Sequence, residues 1–399
     1  MKLLHMVFIS GLAINVTLFS KDMYAPSMPA IAGTLHLSNA YVQSSFSTFL
    51  IGMVLSQLLF GVASDFYGRK KIMLMGLFLC LFGNFLSMIA HTGANFLLSR
   101  LIVGLGAGAA PVVTRAMATD LYKGNELTKV IAYLSMITVF SPVIAPVLGG
   151  YLQINYIWQT NFMFLTFFSG VTWLLIMTYC RETQKSRIQS NENKLHYTIQ
   201  NYINMLRNQT FIAYGLISAI AFSSGVIYFV MSPFIFQNVL HLTALQNGYL
   251  YIFVGLGYFV GALLASKLVV RFSDDTVIML GILLCLASAF LMMALFVLSG
   301  VTLTAIVLPM FINVVGCGLI TPPASKQGIT LFLDMAGSAA ALIGVMRMFV
   351  ALLVTLVVTI APSHNQLALA YLLMILASVA LLAIMLVRAR AVNIETASL

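Results

Sequence analysis

Long apolar runs constrain this chain more than any other feature. Twelve follow one another, near 5–26, 41–63, 72–91, 96–118, 128–152, 160–180, 210–233, 247–270, 276–299, 302–324, 336–360 and 365–387. About 20 such residues are what an α-helix needs to cross the hydrocarbon core of a bilayer. A soluble core cannot absorb them, because 61% of the 399 residues are apolar and 8% are charged. Soluble domains carry roughly 45–50% apolar and about 25% charged residues, and they need a charged exterior. The same arithmetic excludes collagen-like, disulfide-scaffold and disordered chains. The reading is an all-α, polytopic membrane protein. Lys2 ahead of an apolar run mimics a signal peptide, but the length of that run, the Lys21-Asp22 pair near its far end and the eleven runs behind it favour a retained helix.

The formal net charge of +10 is of a size that suggests nucleic acid as a partner. The placement of the basic residues argues for topology instead. Alternate loops hold Lys2, Arg69–Lys71, Arg115, Lys123, Lys129, the basic residues of 181–207, Lys267, Arg271, Lys326, Arg388 and Arg390. Only Lys21, Arg100 and Arg347 fall inside or at the edge of a span. Basic loops mark the cytoplasmic side, so both termini are expected there, and no nucleic-acid partner is. Cys80, Cys180, Cys285 and Cys317 form no CxxC pair, and the histidines are isolated, so no metal site or disulfide frame is expected. The polar stretch 181–209 divides a bundle at 1–180 from one at 210–390, followed by a tail at 391–399. Two six-helix bundles with a central cavity between them is the plan of transporters built from repeated halves.

Between the second and third spans the chain reads Gly61-Val-Ala-Ser-Asp65-Phe-Tyr-Gly68-Arg69-Lys70-Lys71. Gly61 allows close helix contact and Gly68 a tight turn, which leaves Asp65 at a helix end within reach of Arg69. This resembles the loop motif Gly-x-x-x-Asp-x-x-Gly-Arg-[Arg/Lys] of the major facilitator superfamily. The fourth span is similar to that family's fourth helix, with Arg100, then Gly104, Gly106 and Gly108, ending at Arg115 and Asp120. In the fifth span Ala145-Pro146-Val147-Leu148-Gly149-Gly150 resembles the Gly-Pro-x-x-Gly-Gly antiporter stretch, with Ala145 in place of its glycine and Ala132 and Ser141 where earlier glycines are expected.

A finer resemblance, to bacterial Bcr/CflA drug-resistance exporters, rests on Asp22-Met-Tyr24-Ala-Pro26-Ser-Met-Pro29. Thr114-Arg115-Ala116 with Asp120, Pro146–Gly150 followed by Trp158, and Ala336–Ala339 extend it over nearly the whole chain. Gln159 and Thr119 stand where that group commonly has arginine, and Arg347 intrudes into the eleventh span. The resemblance implies a fold of twelve helices, a small-molecule substrate, protons as coupling ion and the proton gradient as energy source. It implies no cofactor, and a monomer as the default.

Nine of the ten acids sit in loops, the tail or at helix ends, and Asp22 alone lies toward the outer half. An ionisable residue at depth costs roughly 2.5–3.5 kcal/mol, which makes Asp22 a proton-coupling candidate. The span limits put it and Arg100 at similar depths, so an Asp22–Arg100 pair is expected, either switching with substrate or fixed between helices. Arg347, roughly 16 Å into its helix, suits recognition of a carboxylate or phosphate, or else carbonyls of the tenth helix. Asn15, Tyr24 and Asn313 join it as substrate candidates, with helix–helix hydrogen bonding as the alternative for the asparagines. Asp65, Gly68, Arg69, Arg115 and Asp120 are expected to gate on the cytoplasmic side, and Pro146, Gly149 and Gly150 to carry the antiporter bend. No HExxH, GxSxG or paired membrane acids support an enzyme, and no catalytic residue is assigned. The expected function is proton-coupled export of lipophilic drugs across the bacterial inner membrane. The alternative is a carrier of an anionic or zwitterionic metabolite such as a carboxylate siderophore, a nucleoside or an amino acid.

Overall fold

The computed structural model describes residues 3–184, 192–360 and 365–397. Lys2, the linker residues Lys185 and Arg187, and His364 lie outside the described residues. The helices are α1 (Leu3–Asp22), α2 (Met28–Thr34), α3 (Asn39–Tyr67), α4 (Arg69–Met88), α5 (Gly93–Ala107), α6 (Ala109–Leu121), α7 (Gly124–Asn155) and α8 (Gln159–Tyr179). They continue with α9 (Glu192–Arg207), α10 (Gln209–Phe234), α11 (Ala244–Leu268), α12 (Asp274–Ser299), α13 (Leu303–Thr330), α14 (Ala336–Ile360) and α15 (Leu367–Ala397). No strand occurs among the described residues. Twelve of the helical stretches are long and apolar enough to cross a membrane, in the positions the sequence marks.

Helix starts follow the side chains. Ser38, Thr92, Asn208, Ser273 and Thr302 each accept a hydrogen bond from the backbone N–H three residues on, satisfying a donor that the first turn leaves open. Two spans are broken. The first runs Met6–Thr34, longer than the expected 5–26, because the chain does not end its crossing at Pro26. It interrupts α1 after Asp22, makes a 3₁₀ turn over Ala25–Ser27 and resumes as α2. Pro26 and Pro29 sit in first-turn positions, where a missing N–H costs nothing. Asp22 therefore lies 12 residues, about 18 Å of helix rise, from the Thr34 end of its span, much further in than the sequence limits imply. The fourth span, Gly93–Leu121, breaks at Gly108 between α5 and α6.

The chain divides into two compact units. One comprises Met1–Leu195 with His241–Ile252, the other His196–Leu240 with Phe253–Leu399. In the first, α3 and α4 pack on α5, α4 on α8 and α1 on α7. Backbones there meet through glycine. A Cβ on Gly104 would overlap the carbonyl oxygen of Phe49, and one on Gly52 would lie 2.5 Å from that of Leu101. Without a hydrophobic drive between helices in lipid, such small-residue contacts supply the packing. In the second unit α12 packs on α13, and α10 on α13 and α14, around a core that includes Ile217, Ile220, Ile282 and Cys317.

Candidate functional site

The break in the first span gathers the first unit's buried charges. At the last residues of α1, Lys21 Nζ donates to Asp22 Oδ1 at 2.6 Å. Asp22 is fully buried, and its Oδ2 has no hydrogen-bond partner. Arg100, also fully buried, donates from Nη2 to the Ser20 carbonyl at 2.6 Å. Its guanidinium carbon stands 4.3 Å from the Tyr24 ring centroid, 5.0 Å from Phe49 and 5.8 Å from Phe162. Nε and Nη1 have no acceptor.

The expected Asp22–Arg100 ion pair is therefore absent from this structure. The carboxylate is taken by the adjacent lysine, and the arginine instead lies against aromatic faces, which its planar, weakly hydrated cation suits. Tyr24 also departs from expectation. It is fully buried, with its hydroxyl 3.1 Å from Ser45 Oγ, and it forms a wall of the Arg100 cage instead of facing open space. Neighbouring polar groups tie helices together: Asn84 Nδ2 donates to Ser20 Oγ at 3.0 Å, and Asn161 Nδ2 to Ser27 Oγ at 2.7 Å. Asn15 is half-buried on α1.

The glycines of the fifth span abut this cluster. A Cβ at Gly149 would overlap the Met23 carbonyl oxygen and lie 2.8 Å from its carbon, so α7 touches the chain one residue beyond Asp22. At Gly150 a Cβ would lie 2.5 Å from the Ala244 carbonyl oxygen, and at Gly248 one would lie 2.7 Å from the carbonyl oxygen of Pro146. The Pro146–Gly150 stretch thus brings α7 onto two backbones at once.

At the opposite ends of these helices an ionic cluster closes on the Gly61–Lys71 loop. Arg69 pairs with Asp65 at 2.5 Å and through Nε with Asp120 at 3.1 Å, and donates to Ser64 Oγ at 2.6 Å. Gly68 takes φ +101°, a region favouring glycine, and gives α4 no side-chain cap. Glu182 supplies one from 113 residues away. Its Oε1 accepts from Arg69 N at 2.9 Å and its Oε2 from Lys70 N at 3.2 Å. A carboxylate on a helix N-terminus is favourable, and here it also offsets the three basic residues of that first turn. Thr183 Oγ1 donates to Asp120 Oδ2, and Gln184 Nε2 to the Asp65 carbonyl. Arg115, expected in this latch, is exposed and makes no ion pair among the described residues. It sits on α6 more than a turn from Asp120, and Arg69 occupies that carboxylate. Sequence reading missed Glu182, since nothing local links it to α4.

In the second unit, Arg347 of α14 donates from Nε and Nη2 to Ser218 Oγ of α10 at 2.9 and 2.7 Å, and from Nη2 to Ser325 Oγ of α13 at 2.6 Å. It is half-buried. Asn313 is fully buried, donating to Ser288 Oγ at 3.1 Å and accepting from the Cys317 thiol, so it joins α12 to α13 and is removed from the substrate candidates. Near the end of α13, Lys326 pairs with Asp274 at 2.8 Å.

The family model for the Major Facilitator Superfamily matches residues 10–355. The chain belongs to the major facilitator superfamily. It is 25% identical over 361 residues, 88% of each chain, to the MFS-type transporter YdgK of Bacillus subtilis. It is 32% identical over 212 residues, 53% of each chain, to multidrug resistance protein MdtL of Klebsiella pneumoniae. A D-xylose-proton symporter structure superposes with a TM-score of 0.77 at 14% identity, covering 95% of this chain and 97% of that one. The inward open xylose transporter XylE of E. coli gives 0.75, also at 14% identity, covering 96% and 95%. At such identities the likeness shows the fold alone. As a superfamily member the protein is a multi-pass membrane transporter of small molecules, not an enzyme.

A reporter for the superfamily loop lies beside it. Cys180, just past the end of α8, is 2% exposed. Burial pushes its thiol up, Glu182 adds to this and Lys70 opposes it, so little thiolate forms at neutral pH. Part-exposed ion pairs contribute at most about 1 kcal/mol each. Arg69→Ala, which removes two, is therefore expected to speed maleimide labelling of Cys180 by roughly tenfold at constant pH. An unchanged rate would mean that the cluster does not hold this end closed.

Proposed function

We propose that the protein is a proton-coupled exporter of small lipophilic drugs or related compounds. In this reading it works by alternating access as a monomer in the bacterial inner membrane, with both termini cytoplasmic, and Asp22 carries the coupling proton. The observation that carries the reading is the wholly buried Asp22 at the break of the first span, with one oxygen on Lys21 and the other without a partner. A broken helix at membrane depth is where transporters of repeated design place ion and substrate groups. Protonation of Asp22 releases Lys21. A lipophilic cation entering the same field favours the carboxylate form and returns the proton. The proton gradient is the energy source and no cofactor is assigned. The basic loops support the orientation, and the MdtL likeness supports drugs as cargo.

A second reading follows from Arg347. A guanidinium held by hydroxyls of α10 and α13 favours a carboxylate-bearing or zwitterionic metabolite, such as a carboxylate siderophore, a nucleoside or an amino acid. Reconstituted protein under an imposed pH gradient separates the two. Accumulation of lipophilic cations, within about twofold of wild type in Arg347→Ala, is expected for drug export. Accumulation of carboxylates alone, lost by about tenfold or more in that variant, would replace the first reading with the second.

A further inference from the structure

The helix α9 serves neither reading. At 100° per residue Met205, Tyr202, Leu206 and Ile203 share one arc about 160° wide, with Gln200 and Asn204 opposite. One edge of that arc is packed. Met205 is fully buried against Phe211, Ala339, Leu342 and Ile343, with Tyr202 beside it. The other edge is open, with Ile203 37% and Leu206 46% exposed.

The turn after α13 repeats the pattern. Phe332 and Met335 pack into the same cluster as Met205, while Leu331 and Leu333 are 42% and 69% exposed. These four side chains lie outside the spans yet are tied to span ends. Leu206 comes three residues before the span that starts at Gln209, and Leu331 directly follows the one that ends at Thr330. Asn208 leaves the helical conformation (φ −80°, ψ 107°) and caps α10, so α9 is a separate helix and not an extension of the seventh span. The segment 181–207 carries five basic residues against two acids.

We propose that α9 and the Leu331–Met335 turn lie on the membrane surface. Ile203, Leu206, Leu331 and Leu333 sit in the headgroup–acyl boundary, and the exposed Arg207, which follows Ile203 around the helix, faces anionic headgroups. The occupant is lipid because the exposed apolar edge continues the lipid-facing belt at the ends of two spans, and an amphipathic helix with cationic flanks is what an anionic interface binds. Through Met205 the same helix grips the base of α10 and α14, so lipid charge reaches the packing of both.

The test uses the full chain in vesicles of phosphatidylglycerol and phosphatidylcholine, with nitroxides on Ile203→Cys, Leu206→Cys, Gln200→Cys and Asn204→Cys. The native cysteines are all buried. Oxygen accessibility relative to a water-soluble nickel chelate is expected to be about threefold or more higher at 203 and 206 than at 200 and 204, and to drop in phosphatidylcholine alone. Equal, water-like ratios at all four positions would overturn the proposal. So would positions 203 and 206 shielded from both reagents, which would mean a protein covers them. A ratio indifferent to lipid charge would remove the anionic headgroup from it.

Discussion

Asp22→Asn protein is expected to keep substrate exchange across a vesicle membrane while losing accumulation driven by a pH gradient, by about 100-fold or more. The amide cannot carry a proton, so a gradient has nothing to act on, yet the substrate path stays open. The rival explanation is structural. Asp22 and Lys21 form a buried pair at 2.6 Å, and removing one partner of such a pair costs about 3–5 kcal/mol because the other charge is left buried. Replacing both, as Lys21→Met with Asp22→Asn, removes that penalty and is expected to restore stability without restoring coupling. Recovery of driven accumulation in the double variant would assign the pair to architecture.

The second large effect is steric. At Gly149 any Cβ falls on the Met23 carbonyl oxygen, and the obstacle is backbone, so no side-chain rotation relieves it. Gly149→Val is expected to cost more than the usual ~1–3 kcal/mol of an overpacked site, with loss of most folded protein. Gly149→Ala is expected to fold partly and transport poorly, because α7 must retreat from the break that holds Asp22. Gly344 of α14 is the control: nothing lies within 4 Å of a Cβ there. Gly344→Ala is expected to be neutral or stabilising by up to ~1 kcal/mol. Melting in detergent, read beside transport, checks all three. Equal melting of Gly149→Val and Gly344→Ala would dismiss the close contact.

The twelve crossings were legible because hydropathy in lipid is a strong and local signal. The loop from Gly61 to Lys71 was equally plain, since its glycines, acid and basic run act within eleven residues. What escaped depended on where the chain bends. Pro26 and Pro29 read as the end of a crossing, although they begin the next half-helix. Lys21 and Asp22 are neighbours at the last turn of α1, a spacing for which helix rules expect no side-chain contact, yet they pair at 2.6 Å. Glu182, three residues past the end of α8, reaches an α4 start 113 residues earlier in the chain, a pairing set by how α8 packs on α4 and which no spacing rule encodes. Arg100 lost its expected carboxylate to a lysine and took three rings in exchange, a choice set by side-chain geometry at close range.

Substrate-triggered proton release from purified protein in detergent is the most direct test of Asp22 as the coupling group. Lipophilic cations added to weakly buffered wild-type protein are expected to release protons, approaching one per protein, and Asp22→Asn protein that still binds the same compounds is expected to release none. Undiminished release from the variant would contradict the assignment and move the coupling proton to another group.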